Sequence, residues 1–517
     1  MTARNEVKNL LEKAIKKLYK QEVEVKIDRP TEPAFGDYTS NVAMVLKKDP
    51  QEIADNIKSD ILDRIEVKNG FINFFLSKEY LQNKAEEILK KEDKFGNLEI
   101  GKNKKIDIEY ICANPTGELH IGHGRGAFLG ETLANVFKKS GFKVFRSHYA
   151  NDAKSSSQIK ELGKTALGEG TTYLNEYLEK KINKLKPEIS KCKNERDAGS
   201  FLAQAVQKDI KDFIEKKLKI RFDFWVSEEK DLYQKGKITK IYDWLKKQRL
   251  VYERDNAQWL RTSAFGDSKD WVIVRETGDF TYLLPDIAYH KDRFDRKYDK
   301  IINIWGADHQ GHVNKIKAVS RILDYKGELV FLITQVVRLK GEKMSKRKGK
   351  VITLEWLINE AGADAVRFIY LMKSPDTQME FDVALAKDQS DKNPVYYVQY
   401  AHARICSILR KLKNENHKLK PAIKNLKLLN HPSELGLIKQ LIKFPEIIED
   451  TAKDYQVQRI PQYALDLAAS FHQFYHDCRV ISEDVHLSEA RLGLSLATKI
   501  ILKSVLSLIG ISAPEKM

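Results

Sequence analysis

The stretch IDIEYICANPTGELHIGHG, at residues 106–124, decides the fold of this 517-residue chain. It opens as a strand over IDIEYI and continues into a glycine-rich loop. A helix follows, with an apolar face made by Leu129, Leu133, Val136 and Phe137. The segment KVFRSHYA (143–150) then predicts a second strand. Strand, loop, helix and strand in this order predict the opening half of a nucleotide-binding parallel sheet.

Further strand signals extend this plan along the chain. The run IINIW (301–305) is apolar throughout, as a strand buried on both faces should be. The other segments that predict strands are WVIV (271–274), FTYLL (280–284) and LVFLITQVV (329–337). A charged, helix-like insertion covers roughly 155–255. Strands alternating with helices predict an α/β fold with a mostly parallel, doubly wound sheet.

Regions on either side of this sheet predict two further domains. Residues 1–92 combine helical segments with the short β-type run GFINFFLS and predict a small α/β domain. The sheet-bearing domain spans 104–374, and from 375 to 517 the apolar spacing is helical to the end.

The glycine-rich loop has the composition of an anion site. Gly117, Gly122 and Gly124 let the backbone approach a bulky anion without a Cβ in the way. The start of the following helix adds unpaired N–H donors and a partial positive charge. His120 and His123, three residues apart, can donate imidazole N–H groups to phosphate oxygens. Taken alone, the motif is also compatible with a turn that carries two solvated histidines.

A basic loop lies far downstream. Residues 338–350 read RLKGEKMSKRKGK and carry seven cations and one carboxylate. Such like charges repel one another and call for a counter-anion, which a triphosphate supplies, although an ordinary basic surface loop has the same composition. Both loops follow strands of one sheet, and the pair together predicts that ATP is held from two sides and cleaved between its α- and β-phosphates.

Seven residues make up the predicted ATP site, and four of them are predicted to be catalytic. The ATP-binding set is Gly117, His120, Gly122, His123, Lys343, Ser345 and Lys346. The predicted catalytic residues are His120, His123, Lys343 and Lys346. Adenylation of an ionised carboxylate needs alignment and charge neutralisation rather than a general base. Mg²⁺ bridging the phosphate oxygens is expected to contribute to that neutralisation.

Acidic residues near the predicted strand ends indicate a cationic substrate. Glu109 precedes the glycine-rich loop, Asp286 follows Tyr282 by four residues near the end of FTYLL, and Asp308 lies in GADHQGH. A pocket with two or more carboxylates selects a cation, and a planar guanidinium can pair with them bidentately. Each acid by itself is equally explained as a capping or solvated residue.

Composition favours a polyanionic partner. The formal net charge is +17, which suits nucleic acid, although a generally lysine-rich set of surfaces would explain it too. The four cysteines form no CxxC pair, so no structural zinc is expected, and free thiols suit a reducing cytoplasm. No run of about 18 apolar residues predicts a membrane span.

These motifs together resemble one family, the class I aminoacyl-tRNA synthetases, and within it the arginyl-tRNA synthetases. The class signatures HIGH (120–123) and KMSK (343–346) match letter for letter. The stretches that resemble the arginine enzymes are ANPTGELHIGH (113–123), YANDA (149–153), WGADHQGH (305–312), NPVYYVQYAHARI (393–405), GDYTSNVAM (36–44), GFINF (70–74) and the final GISAPEKM. The resemblance therefore runs nearly from end to end.

The resemblance implies a Rossmann-type catalytic domain with a helical insertion, flanked by a small N-terminal α/β domain and an all-helical C-terminal domain. It implies that L-arginine and ATP give arginyl-adenylate and pyrophosphate, and that arginine then passes to the 3′-terminal adenosine of tRNA-Arg. Glu109, Tyr282 and Asp286 would bind the guanidinium. Asn114 would hold the α-amino end, with help from the 308–309 region, that is, Asp308 and His309.

The resemblance also assigns roles outside the catalytic domain. The N-terminal domain would touch the tRNA elbow and the helical domain the anticodon, and tRNA would be needed before arginine is activated. The enzyme would act as a cytoplasmic monomer without protein-bound metal. The stretch KSSSQI after Ala153 departs from the family, which often has a shorter Gly-Asn-type stretch there.

Three alternatives stand beside this interpretation. One is a class I synthetase for another amino acid such as lysine or glutamate, against which the paired acids Glu109 and Asp286 argue. A second is a small-molecule nucleotidyltransferase with an HxGH turn, which the chain length and helical tail disfavour. A third is a catalytically silent RNA-binding relative, which the intact HIGH and KMSK signatures disfavour.

Overall fold

The computed structural model describes residues 1–341, 352–414, 419–421 and 423–517. The chain forms two compact units. One contains residues 101–388, and the other is built from both ends of the chain, 1–100 and 389–517.

The N-terminal segment is a small α/β structure, as predicted. Its three strands form an antiparallel sheet with β3 between β1 and β2. The elements are α1 (Ala3–Tyr19), β1 (Tyr38–Ser40), α2 (Val42–Leu46), α3 (Pro50–Asp55), β2 (Leu62–Lys68), β3 (Phe71–Leu76) and α4 (Lys78–Lys91). Most residues of β3 are buried, which agrees with the apolar run GFINFFLS.

The unit formed by 101–388 contains the nucleotide-binding sheet. Its first half comprises β4 (Lys105–Glu109), α5 (His123–Lys139), β5 (Lys143–Ala150), α6 (Ser157–Leu167), α7 (Glu176–Lys184), α8 (Lys186–Ile189), α9 (Glu195–Lys216), β6 (Phe224–Ser227), α10 (Lys237–Lys247), β7 (Val251–Arg254), β8 (Ala257–Leu260) and β9 (Trp271–Val274). Its second half comprises α11 (Leu283–Asp295), β10 (Lys300–Gly306), α12 (Val313–Ile322), β11 (Glu328–Thr334), β12 (Val337–Leu339), α13 (Leu354–Ala361), α14 (Ala363–Leu371), β13 (Met379–Phe381) and α15 (Val383–Lys387).

Five strands of this unit form one parallel sheet in the order β11-β10-β4-β5-β6. The chain starts at β4, runs outward to β6, and then returns to the other side of β4 for β10 and β11. This order reverses direction between β4 and β10, and ligands of such sheets bind in the crevice outside the carboxyl ends of the strands at that point. The HIGH segment follows β4 and the segment ADHQGH follows β10, so both lie at this crevice.

Helix α5 packs on the sheet, and α14 packs on α5. The Phe128 ring of α5 meets the Tyr370 ring of α14 edge to face, with centroids 5.4 Å apart. A second apolar cluster joins α10, α11 and α12 to β8 and β9, with Leu245, Leu284, Ile287 and Val319 fully buried in it. Helix α5, which begins at the last residue of the HIGH segment, is therefore packed against the sheet on one side and against α14 on the other.

Two features of this unit differ from the sequence predictions. FTYLL (280–284) is not a strand: only Phe280 makes an isolated bridge, to Val274, and α11 begins at Leu283. The leucines that suggested a strand are buried by the helix, so Asp286 lies in the first turn of α11 rather than near a strand end. In the inserted region, which is helical through α9, Phe224–Ser227 also adds strand β6 to the parallel sheet.

The C-terminal segment is helical from Pro394 onward, as predicted, but the predicted helical region 375–517 also contains strand β13, which pairs with β12. Its helices are α16 (Pro394–Asn414), α17 (Pro432–Leu441), α18 (Phe444–Asp454), α19 (Arg459–Asp477) and α20 (Val485–Leu508). One buried carboxylate, Glu446 of α18, accepts hydrogen bonds from the Arg4 backbone N–H (3.0 Å), the Tyr38 hydroxyl (2.7 Å) and the Arg29 guanidinium (2.8 Å). These bonds tie the helical segment to the N-terminal α/β segment within one unit.

None of the helices in the described ranges is both long enough and apolar enough to cross a membrane.

Candidate active site

The turn that carries both histidines is shaped by backbone constraints. Ile111, just after β4, has φ of 57°, a left-handed conformation that costs a β-branched residue roughly 1–3 kcal/mol. A Cβ at Gly122 would lie 2.7 Å from the His120 ring, so only glycine allows that ring to fold back over the turn. The backbone conformation at Ile111 and the glycine at 122 shape the turn that carries His120 and His123, and His123 begins α5.

Both histidines of the turn are neutral hydrogen-bond donors. The pKa of His123 is lowered to about 3, mainly by burial and also by the neighbouring His120. Burial also lowers the pKa of His120, against the opposing effect of the Asp308 carboxylate. The backbone N–H of Gly122 donates to His120 Nδ1 and that of His120 to His123 Nδ1, each over 3.0 Å. A neutral ring that accepts at Nδ1 carries its proton on Nε2, so each histidine keeps one N–H for a phosphate oxygen.

The downstream end of the basic loop is bonded directly to this turn. The Ile121 N–H donates to the Ile352 carbonyl (3.0 Å), and the Leu354 N–H donates to the Leu119 carbonyl (2.7 Å). His120 and Thr353 form an antiparallel bridge between these two bonds. The chain therefore leaves the basic loop at the same place where the HIGH motif begins.

The upstream end of the loop is tied to the helix of the HIGH motif. Strand β12, which leads into the loop, pairs in parallel with β13. The Arg125 guanidinium of α5 donates to the carbonyls of Ser374 (2.6 Å), Pro375 (3.2 Å) and Thr377 (2.7 Å), just before β13. At the loop entrance Lys340 pairs with Asp382 over 2.9 Å. The downstream flank of the loop is thus bonded directly to the HIGH turn, and the upstream flank is linked to α5 through β13. The predicted ATP ligands Lys343, Ser345 and Lys346 lie outside the described residues.

The carboxylates of Asp286, Glu228 and Glu109 interact electrostatically, and we call this group the acidic pocket. Burial raises the pKa of Asp286 well above its ordinary value, and the carboxylates of Glu228 and Glu109 raise it further, while Lys315 lowers it. No hydrogen bond or ion pair engages the Asp286 carboxylate within the described part of the chain. Tyr282, one turn earlier, is 52% exposed and its hydroxyl accepts from Lys315 Nζ over 2.7 Å. A half-buried carboxylate that makes no hydrogen bond or ion pair among the described residues, and that has only Lys315 as a nearby cation, suits an incoming cation.

Glu228 belongs to this pocket and was missed by the sequence analysis. Its pKa is raised to about 7, mainly by burial and also by neighbouring Asp152 and Glu229, against the hydrogen bond that it accepts from the Tyr149 hydroxyl (3.0 Å). It follows β6, a strand in the middle of a mainly helical stretch. Its position after a strand of the central sheet would have been the signal, but β6 itself was not predicted.

Glu109 is already engaged by the protein. Its Oε2 accepts from Arg293 Nη1 over 2.7 Å, and its Oε1 accepts from Cys112 Sγ over 3.1 Å. Arg293 is only 1% exposed and also pairs with Asp107 over 2.6 Å. Glu109 therefore belongs to the acidic pocket, but both of its carboxylate oxygens have donors within the chain.

The remaining predicted substrate contacts lie around the same crevice. Asn114 is half-buried, and its Oδ1 accepts from the Asn151 amide over 2.9 Å. Asp308 and His309 follow β10 and lie 3.5 Å apart, with side chains 81% and 53% exposed. Asp308 raises the pKa of His120, so this segment lies near the HIGH turn. Gly117 has open space at its Cβ position, so steric need does not explain that glycine.

Comparison with known families supports the same assignment along the whole chain. Residues 5–76 match the arginyl tRNA synthetase N terminal domain, and residues 84–158 and 174–393 match the tRNA synthetases class I (R), catalytic domain. Residues 398–517 match the DALR anticodon binding domain. Matches to these three models occupy most of the chain.

Individual proteins agree with the family models. The arginine–tRNA ligase of Bacillus subtilis is 40% identical over 95% of this chain and 94% of its own length. That of Desulforamulus reducens is also 40% identical, over 96% of this chain and 94% of its own. The fold matches the arginyl-tRNA synthetase of Thermus thermophilus with a TM-score of 0.77 over all of both chains, at 22% identity. The motifs, the parallel sheet, the family models and these relatives all agree. This chain therefore belongs to the arginine–tRNA ligase family of class I aminoacyl-tRNA synthetases.

Proposed function

We propose that the crevice at the carboxyl ends of β4 and β10 activates L-arginine with ATP and transfers it to tRNA-Arg. The observation that carries the proposal is the direct bonding of Leu119–Ile121 to Ile352–Leu354. It joins the HIGH turn to the end of the KMSK loop. Lys346 is six residues from Ile352, and an extended chain of that length reaches at most about 20 Å. The ATP triphosphate is then within range of both motifs.

In the first step the carboxylate of arginine attacks the α-phosphorus of ATP, and pyrophosphate leaves. His120 and His123 donate their Nε2–H groups to phosphate oxygens as charge shifts onto the leaving group. Because burial lowers the pKa of both rings, they act as neutral donors and take no proton from the substrates. We assign Lys343, Ser345 and Lys346 to the pyrophosphate because they belong to the basic loop. We assign Gly117 and Gly122 to ATP binding because they belong to the glycine-rich loop.

The arginine side chain lies in the acidic pocket. Asp286 and Glu228 pair with the guanidinium, and Tyr282 covers it. Asn114, Asp308 and His309 hold the α-amino end, beside the ATP turn. Burial makes both carboxylates costly to ionise alone, so a bound guanidinium repays that cost with two charge-assisted contacts. A glutamate substrate would add a third negative charge to this pocket and is disfavoured.

The transfer step needs a tRNA-binding surface, and the helical segment offers one. Tyr400 stacks with Tyr396 (centroids 6.4 Å apart) and with His472 (6.1 Å). The Arg404 guanidinium lies 5.3 Å above the Tyr400 ring and 5.1 Å from the Tyr475 ring. Tyr400 and Tyr475 are each 38% exposed. Exposed aromatic rings beside arginine form stacking platforms for unpaired bases, so we assign anticodon contact to residues 375–517.

The remaining proposals come from the family resemblance. The N-terminal segment, residues 1–92, contacts the tRNA elbow, and the catalytic domain spans 104–374. The enzyme acts as a monomer in the cytoplasm. Mg²⁺ accompanies ATP and neutralises phosphate charge when bound. No group of three or more His, Cys, Asp or Glu side chains among the described residues could hold a metal ion.

Pyrophosphate exchange into ATP tests the proposed reaction. Purified protein is assayed with each of the twenty amino acids, with and without tRNA. Exchange is expected with arginine alone, and only when tRNA is present. Exchange with lysine but not arginine would refute the proposed specificity, and no exchange with any amino acid would refute adenylation.

A further inference from the structure

A buried guanidinium belonging to the protein lies directly behind the acidic pocket. Arg293 of α11 donates from Nε to Asp107 (2.6 Å), and from Nη1 to Glu109 (2.7 Å) and to Asn303 (2.6 Å). Asp107 and Glu109 lie on β4, and Asn303 lies on β10. One side chain thus bonds α11 to the two strands that flank the crevice.

Both oxygens of each acid in this network accept a donor from within the chain. The second oxygen of Asp107 accepts from the Ser147 hydroxyl (2.6 Å), and the second oxygen of Glu109 accepts from the Cys112 thiol (3.1 Å). The side chains of Arg293, Asp107 and Glu109 are 1%, 0% and 4% exposed. Arg293 and Cys112 thus fix the orientation of the Glu109 carboxylate, whereas the Asp286 carboxylate accepts no hydrogen bond from the described residues.

Helix α11 connects this network to the pocket through one face. Asp286, Tyr289 and Arg293 are spaced three and four residues apart, so they lie along the same side of the helix. The Tyr289 ring stacks on the Tyr149 ring with centroids 4.3 Å apart, and the Arg293 guanidinium lies 5.2 Å from the Tyr289 ring centre. The Tyr149 hydroxyl bonds Glu228. A shift of Arg293 would therefore be felt at the carboxylates of both Asp286 and Glu228.

We propose that Arg293 is a positioning residue for arginine recognition, which holds α11 against β4 and β10 and so fixes Asp286 and Glu228 relative to the HIGH turn. The inference rests on the proposed function of the acidic pocket. Buried ion pairs add little stability over well-packed apolar groups, so their main contribution here is to fix geometry. A planar fork that bonds three partners sets that geometry in a way that lysine cannot.

The variant Arg293→Lys tests this proposal, because it keeps the charge and loses the fork. The KM for arginine is expected to rise about tenfold or more, because a small displacement of the groups that contact the substrate has an effect of that size. The kcat and the KM for ATP should remain within about twofold of the parent. The matched control is Arg296→Lys on the same helix. Arg296 is 29% exposed and pairs with Asp292 over 2.7 Å, so its variant should behave as the parent does.

A charge-matched double variant separates positioning from stability. Arg293→Gln with Asp107→Asn removes one cation and one anion, leaving the net charge of the network unchanged. Thermal unfolding should show a folded protein, and the KM for arginine should still be raised. An unchanged arginine KM in either folded variant would overturn the proposal, as would equal increases in the KM for arginine and for ATP. If neither variant folds, Arg293 serves stability alone and the proposal fails. Activity of the parent with arginine, measured in parallel, tests the proposed function separately.

Discussion

The two sides of the crevice present opposite electrostatic environments. On the proposed phosphate side, one short turn supplies neutral histidine donors at the start of a helix, and the segment that follows the basic loop is bonded to the same turn. On the proposed arginine side, the carboxylates of Glu228, just after β6, and of Asp286 in α11 have raised pKa values. One sheet edge can therefore bind an anion and a cation next to each other, because donors and acceptors come from different strand ends.

Removing a donor from the phosphate side should have the largest effect. The variant His123→Ala is expected to lower kcat by about 10²- to 10³-fold, the usual loss when one donor to a developing charge is deleted. The KM for arginine should stay unchanged, because the ring faces phosphate and not the acidic pocket. Single-turnover formation of arginyl-adenylate measures the effect. His123→Asn, which retains an N–H donor, should recover part of the rate.

Neutralising the arginine side should mainly weaken substrate binding. The variant Asp286→Asn is expected to raise the KM for arginine about 10- to 100-fold, for roughly 1.5–3 kcal/mol lost from a charged hydrogen bond. Its KM for ATP should remain that of the parent. Steady-state exchange kinetics with both substrates varied provide the measurement. Equal KM values for arginine in variant and parent would place the pocket elsewhere.

The pH dependence of arginine binding should come from Glu228. Its pKa of about 7 means that the carboxyl is protonated below neutral pH and ionised above it. Because a guanidinium binds the ionised form, the KM for arginine should fall roughly tenfold from about pH 6 to about pH 8, following the ionised fraction. Glu228→Gln should flatten this profile at a higher KM. A profile of unchanged shape in the variant would assign the titration to another group.

The smallest effect is expected at the link between the HIGH helix and the loop entrance. The variant Arg125→Lys keeps the charge and loses part of the fork that bonds three carbonyls. It should lower kcat about two- to tenfold, for about 0.5–1.5 kcal/mol per lost hydrogen bond. Arginine affinity should not change, and a rise in the KM for arginine alone would contradict the division between the two sides.

The phosphate side was largely predictable from sequence because its parts are local. The glycines, the two histidines and the helix start lie within a few residues of one another. The apolar period of α5 predicted that a helix begins directly after them. The arginine side was predicted less well. Tyr282 was placed in a predicted strand and Asp286 near its end, but α11 begins at Leu283, directly after Tyr282. Glu228 was missed because β6 is short and follows a long helix.

The partner of Glu109 within the protein could not have been predicted from the sequence for a different reason. Its acidic side chain at a strand end predicts a substrate ligand, and Arg293, which also bonds it, lies 184 residues away in the chain. Only the packing of α11 on the sheet brings the two together. The strain at Ile111 likewise has no signal in residue type, since β-branched residues ordinarily avoid that conformation.

A double-mutant cycle between His123 and Lys346 tests the convergence of the two motifs most directly. The rate of arginyl-adenylate formation is measured for the parent, His123→Ala, Lys346→Ala and the double variant, with tRNA and arginine saturating. If both side chains act on one triphosphate, the double variant should lose clearly less than the product of the two single losses. Independent losses that multiply, or an unchanged rate in either single variant, would contradict the account.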